Sequence, residues 1–187
     1  KKALREIIKQ YDFNGVLELI EKVESSRDVG YTLGMLEDYN FDSILLPTFL
    51  DNKNDKTVQF ISAFIWNKHR YIGWKWIDSI DIFDWTIDQK TQLYIYLPFT
   101  KETWDRVSKL QNYDESKYWH RVNVYPYNEG CDLNIAVDKL IFYDGPSASI
   151  NCIYKSLHDK QTLDNKLIVK ALISAITTEE SSNTMDV

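Results

Sequence analysis

The sequence predicts an all-α fold made of stacked helical hairpins, an α-solenoid or α-α superhelix, and three observations carry that expectation. Short segments whose apolar residues recur three and four apart follow one another along most of the 187 residues, a spacing that lines one face of a helix. Gly, Pro, Ser, Asp and Asn stand between these segments, where helices start and stop. Alternating runs suited to strands are confined to 92–96 and 122–125, both inside helical surroundings. Short amphipathic helices in series cannot bury their faces alone, so each needs neighbours.

Leu4, Ile7 and Ile8 begin a first helix that ends near Gln10, and Asp12 or Asn14 can cap a second carrying Val16, Leu17, Ile20 and Val23. Ser25 and Ser26 break it. Val29, Leu33 and Leu36 mark the next helix, whose Gly30 and Gly34 form a small-residue pair suited to close helix packing. Phe41 to Leu50 is apolar but interrupted by Pro47, which limits it to one or two turns and a bend. After the polar tract 51–55, Asp55 is the expected cap of a longer helix with Val58, Ile61, Phe64 and Ile65 on one face. An aromatic and basic block follows, then an acidic irregular stretch from Asp78, with Asp88 as the expected cap of a helix that Pro98 terminates. Thr100 opens a helix facing Trp104, Val107 and Leu110 inward, with Thr103 leaving its capping box incomplete.

The stretch from Cys131 to Ile176 is the most legible. Leu133, Ala136, Val137, Leu140 and Ile141 form one stripe; Gly145, expected in the left-handed conformation, and Pro146 turn the corner. Ile150, Ile153, Tyr154 and Leu157 form a second stripe. Asp164 can cap a third helix whose Leu167, Ile168, Ala171, Leu172 and Ile176 face inward. Residues 14–33 echo residues 134–153, Ser25-Ser26 aligning with Gly145-Pro146, which suits a solenoid of divergent units. The expected organisation is one helical-repeat domain over 1–176 and a polar tail or linker over 177–187.

Composition narrows the function. With 44% apolar and 27% charged residues the chain is an ordinary globular one. A net charge of -6 argues against a surface that grips nucleic acid throughout. Two cysteines, Cys131 and Cys152, make no disulfide framework and suit buried sites in a reducing, cytoplasmic setting. No run approaches the ~20 apolar residues a bilayer demands, so no membrane partner is expected. The chain opens on Lys-Lys-Ala-Leu in helix register and without Met, which reads as a piece of a longer protein.

Motifs for chemistry are missing. Six glycines form neither GxGxxG nor a phosphate loop. His69, His120 and His158 lie far apart, and the two cysteines lack zinc spacing, so neither cofactor nor metal is expected. The carboxylates from Asp78 to Asp88 suit a solvated face or helix caps, and no Cys-His signature supports a nucleophile. Two segments qualify as binding surfaces. In the first, Lys68, Arg70 and Lys75 interleave with Trp74 and Trp76; in the second, Trp119, His120 and Arg121 precede a Pro-fixed turn. Trp and Arg dominate interface hot spots, and cations beside aromatic rings can also hold a base or phosphate.

Leu-Pro-Phe-Thr-Lys-Glu-Thr-Trp at 97–104, Tyr-Trp-His-Arg-Val at 118–122, and the helix and Gly-Pro-Ser-Ala-Ser-Ile corner after them resemble divergent helical-repeat regions of large bacterial proteins. These are similar to tetratricopeptide and HEAT-type solenoids, although the tetratricopeptide consensus is absent. The resemblance implies a non-catalytic scaffold or sensor region beside a separate catalytic domain, and it supplies no catalytic residues. The expected partner is another protein or other domains of the same chain, with nucleic acid or a nucleotide as the rival ligand of the basic-aromatic patch.

Overall fold

A computed structural model describes residues 1–36, 38–39 and 41–177. Among these residues there are eleven helices and no strand, so the chain is all-α. They form two compact units, Lys1–Leu97 and Pro98–Val187. Apart from Thr177, the expected polar tail lies outside the described residues.

In the first unit, α1 (Lys2–Lys22) is broken at Asp12, whose φ of 54° and ψ of -150° leave the helical region. The expected division between two helices falls there. Ser25 caps α2 (Ser26–Leu33) by accepting from the Asp28 amide at 3.3 Å. The helix α3 (Asp42–Phe49) carries Pro47 in its last turns. The long helix α4 (Asp55–Ile72) is capped one residue earlier than expected: Asn54 accepts from the amides of Lys56 and Thr57, and Asp55 is the first helical residue. After α5 (Trp74–Asp78) comes α6 (Ile87–Ile95), where the expected cap is again displaced. Thr86 and Gln89 form a complete capping box, and Asp88 lies in the first turn, where a carboxylate favours the positive helix end.

The unit is gathered around α4, which touches α1, α2, α3 and α5 and buries Phe60, Ile61, Phe64 and Ile65. Its closest neighbour is α2. Gly30 lies so near α4 that a methyl group there would overlap the Phe60 carbonyl oxygen, and one at Gly34 would stand 2.8 Å from the Phe64 oxygen. Removal of two side chains thus lets the backbones meet. Polar groups close the seam, with Asn67 Nδ2 donating to the Tyr31 carbonyl at 2.6 Å and Ser26 Oγ to Gln59 Oε1 at 3.4 Å.

In the second unit, α7 (Lys101–Val107) and the short α8 (Ser116–Trp119) precede α9 (Leu133–Phe142), α10 (Pro146–His158) and α11 (Asn165–Thr177). The last three all touch one another. Leu133, Ala136, Val137 and Leu140 are buried on the expected stripe of α9. The corner differs from expectation. Asp144 takes the left-handed conformation at φ 55°, whereas Gly145 has φ -113° and donates its amide to the Leu140 carbonyl at 2.8 Å. That bond is the long one of a Schellman turn, whose left-handed position an Asp tolerates. Asp164 caps α11 through the Lys166 amide, and its own amide donates to Asn134 Oδ1 of α9. Of α11, only Ala171 is buried; Leu172 and Ile176, expected inward, are exposed.

Replacing Gly30 with Ala is expected to destabilise the first unit by about 3 kcal/mol or more, because rigid backbone must retreat. Gly34→Ala should cost less, about 1–3 kcal/mol. Urea denaturation followed by circular dichroism measures both.

Candidate functional site

The basic-aromatic segment occupies the end of α4 and all of α5, and the structure divides its residues into two groups. Lys68 is buried, at 6% exposure. Its Nζ donates to Asp42 Oδ1 at 2.5 Å, while Trp76 Nε1 donates to Asp42 Oδ2 at 2.8 Å. The same ammonium lies 5.3 Å from the centre of the Phe64 ring and 5.6 Å from that of Trp76. One carboxylate at the first position of α3 therefore ties α3 to α4 and α5. A lone buried lysine would be costly to desolvate; this one has a carboxylate and two ring faces to receive it.

Beside this clamp opens a cleft of about 550 Å³. Lys68, Asp42 and Trp76 line it together with Tyr39, Tyr71 and Lys75. Tyr71 is 55% exposed, and Lys75 and Ile72 also face solvent. The Lys1 ammonium lies 5.7 Å from the Tyr71 ring centre. Of the predicted residues the fold thus brings Lys68, Lys75 and Trp76 to one hollow. Arg70 is exposed and Trp74 half-buried, its ring edge-on to His69 at 4.5 Å; neither lines the cleft. A second hollow of about 290 Å³ shares Asp42 and Ser79 with the first and runs to Pro47 and Trp85.

Asp42 is the residue that sequence reasoning missed. Its signal was present: it is the one carboxylate of the otherwise apolar segment from Phe41 to Leu50. Such an isolated charge in a core-forming helix needs a partner.

The second candidate segment belongs mainly to the core of its unit. Trp119 is 3% exposed and stands among Phe99, Trp104, Tyr118 and Tyr143, its ring nearly parallel to that of Tyr143 at 6.2 Å. His120 and Arg121 are exposed. Burial pushes the Tyr118 hydroxyl well above its ordinary range. Burial and then the Glu115 charge push Tyr143 upward as well. Lys139 would be pushed down by burial, but its bond to Glu115 at 2.9 Å and that charge outweigh this and raise it. These are the surroundings of a packed aromatic core.

Burial pushes both Cys131 and Cys152 up to about 12. Among the described residues no three His, Cys, Asp or Glu side chains are grouped to hold a metal ion, and no helix is long and apolar enough to cross a membrane. Comparison with protein-family models, curated proteins and solved structures found no match.

Asp42→Ala is expected to destabilise the first unit by about 3–5 kcal/mol, since it strands a buried ammonium. Trp76→Phe, which keeps a six-membered aromatic ring but loses the indole bond to Asp42 and some buried volume, should cost about 1–3 kcal/mol. Chemical denaturation of each variant distinguishes the two. For the thiols, the raised folded value favours the protonated form, so their contribution is present below the unfolded value near 9 and is lost as pH rises toward 12. Stability measured by urea denaturation across that window should fall less steeply in Cys152→Ala than in the parent.

Proposed function

We propose that the chain is a non-catalytic, cytoplasmic protein-binding region of a larger bacterial protein, its helical hairpins stacked in the solenoid manner, with the cleft beside Asp42 as its docking point. The observation that carries this reading is the state of the cleft's charges. Asp42 and Lys68 already satisfy one another, so that among the described lining residues Lys75 is the basic group left at the rim, beside Tyr39, Tyr71, Ile72 and Ser79. Tyr71 and Ile72 offer contact area to a partner, Lys75 selects an acidic neighbour, and the clamp keeps the floor rigid. Two corners support the solenoid arrangement: α2 begins at Ser26 and α10 at Pro146, at matching places in the sequence echo.

The second reading, recognition of nucleic acid or a nucleotide, draws support from the same cleft, whose lining includes both Lys75 and the exposed Tyr71. It is weakened by the commitment of Lys68 to Asp42 and by the net charge of -6.

A cross-linking pull-down at low and high salt tests both, using the parent and a Tyr71→Ala, Lys75→Glu double variant whose circular dichroism matches it. The expected result is a defined protein, cross-linked to the 68–79 segment, captured by the parent and lost by the variant at either salt. Capture of nucleic acid alone, released by high salt, would favour the second reading. Equal capture by parent and variant would refute the cleft as the docking point.

A further inference from the structure

We propose that the cleft beside Asp42 receives the 80–85 loop of a second copy of this chain, each copy's loop entering the other's cleft. The inference rests on the reading of that cleft as a docking point and names its occupant. The loop projects one aromatic side chain, Phe83, which is 82% exposed. Its backbone is held in place. The Phe83 amide donates to Asp81 Oδ1 at 3.0 Å, Lys90 Nζ donates to the Phe83 carbonyl at 3.3 Å, and the Trp85 amide donates to the Ile82 carbonyl at 3.2 Å. A ring on a fixed turn loses little freedom when it is buried, as an interface anchor requires. Asp81 and Asp84, two residues before it and one after, are both exposed.

The cleft is the complement of that loop in charge and in surface type. Its lining includes the exposed Tyr71, Ile72 and Lys75, and the Lys1 ammonium lies 5.7 Å from the Tyr71 ring centre. Lys68 is paired with Asp42, so Lys75 and Lys1 supply the positive charge around aromatic and aliphatic surface. The loop supplies carboxylates around an aromatic ring. Asp81 is engaged by the Phe83 amide, which leaves Asp84 as the carboxylate to set against Lys75. With a net charge of -6 two copies repel on average, so a local pairing of basic rim with acidic loop fixes their orientation.

Placement lets both contacts form at once. Ser79 lines the cleft, and the chain passes directly from it into the loop. The second hollow, lined in part by Ile80, Asp81 and Trp85, shares Asp42 and Ser79 with the cleft. Loop and cleft are therefore neighbours on one unit, and a two-fold axis between them exchanges one for the other. The same patch then serves both copies, and the assembly closes at two. Charge pairs at a rim in contact with water are screened by added salt.

Sedimentation equilibrium of the full 187-residue chain, at micromolar to sub-millimolar concentrations and at low and high salt, tests the proposal. A reversible monomer–dimer equilibrium that weakens as salt rises is expected. Phe83→Ser, at a site exposed enough to leave folding intact, should weaken it at least about tenfold, the scale of an interface anchor. Lys75→Glu and Asp84→Lys should each weaken it by a similar factor. The two reversals combined in one chain should restore most of the affinity, because opposite charges again face one another in both contacts. Tyr154→Ser, at a 64% exposed site in the second unit, should leave the equilibrium unchanged. A dimer that survives Phe83→Ser, or a combined variant no tighter than either single one, would overturn the proposal. So would a larger assembly or a chain monomeric throughout. Capture of a different protein at the cleft by such a monomeric chain would overturn this inference alone and leave the docking point standing.

Discussion

Two missing side chains, at Gly30 and Gly34, allow α2 to lie directly on the backbone of α4, and the first unit depends on that approach. Close packing removes water from both helices over their shared length and brings Phe60, Phe64 and their neighbours into the dense interior that dispersion and hydrophobic burial reward. Because backbone meets backbone, the seam has little room to adjust. A side chain at Gly30 must displace a peptide group rather than turn another side chain aside.

The same seam fixes the clamp. A methyl group at Gly34 would stand 3.1 Å from the Lys68 amide, so the position of Lys68 along α4 is set by α2 on one side. On the other side Asp42 holds the Lys68 ammonium and the Trp76 indole. The cleft wall is therefore the consequence of a packing contact and a buried ion pair acting on one turn of helix. Rigid walls with an exposed aromatic and basic rim are the arrangement in which a few contacts can carry binding, because little order has to be gained on association.

Spacing in the sequence disclosed the longer helices and the glycine pair, since periodicity and residue size are local properties, but not the short α5 and α8. The caps were legible only to within a residue or two: Asn54 and Thr86 take the positions expected of Asp55 and Asp88, because each competing side chain lies close enough in sequence to offer a plausible oxygen. The left-handed residue at the corner was Asp144 rather than Gly145, a choice decided by which amide reaches Leu140. The candidate sites were legible as residue types but not as surfaces. Lys68 and Trp119 became interior once partners distant in sequence, Asp42 and Tyr143, were folded onto them. Exposure is a tertiary property, and no spacing rule could separate Lys68 from Lys75.

If the α2–α4 seam organises the first unit, it must open only when the unit unfolds. Native-state amide hydrogen exchange under increasing denaturant reads this residue by residue. Amides of α2 and those from Phe60 to Lys68 in α4 should merge into one opening, the most protected in the unit. Exchange of the α2 amides through a low-energy local opening, with α4 still protected, would contradict the account.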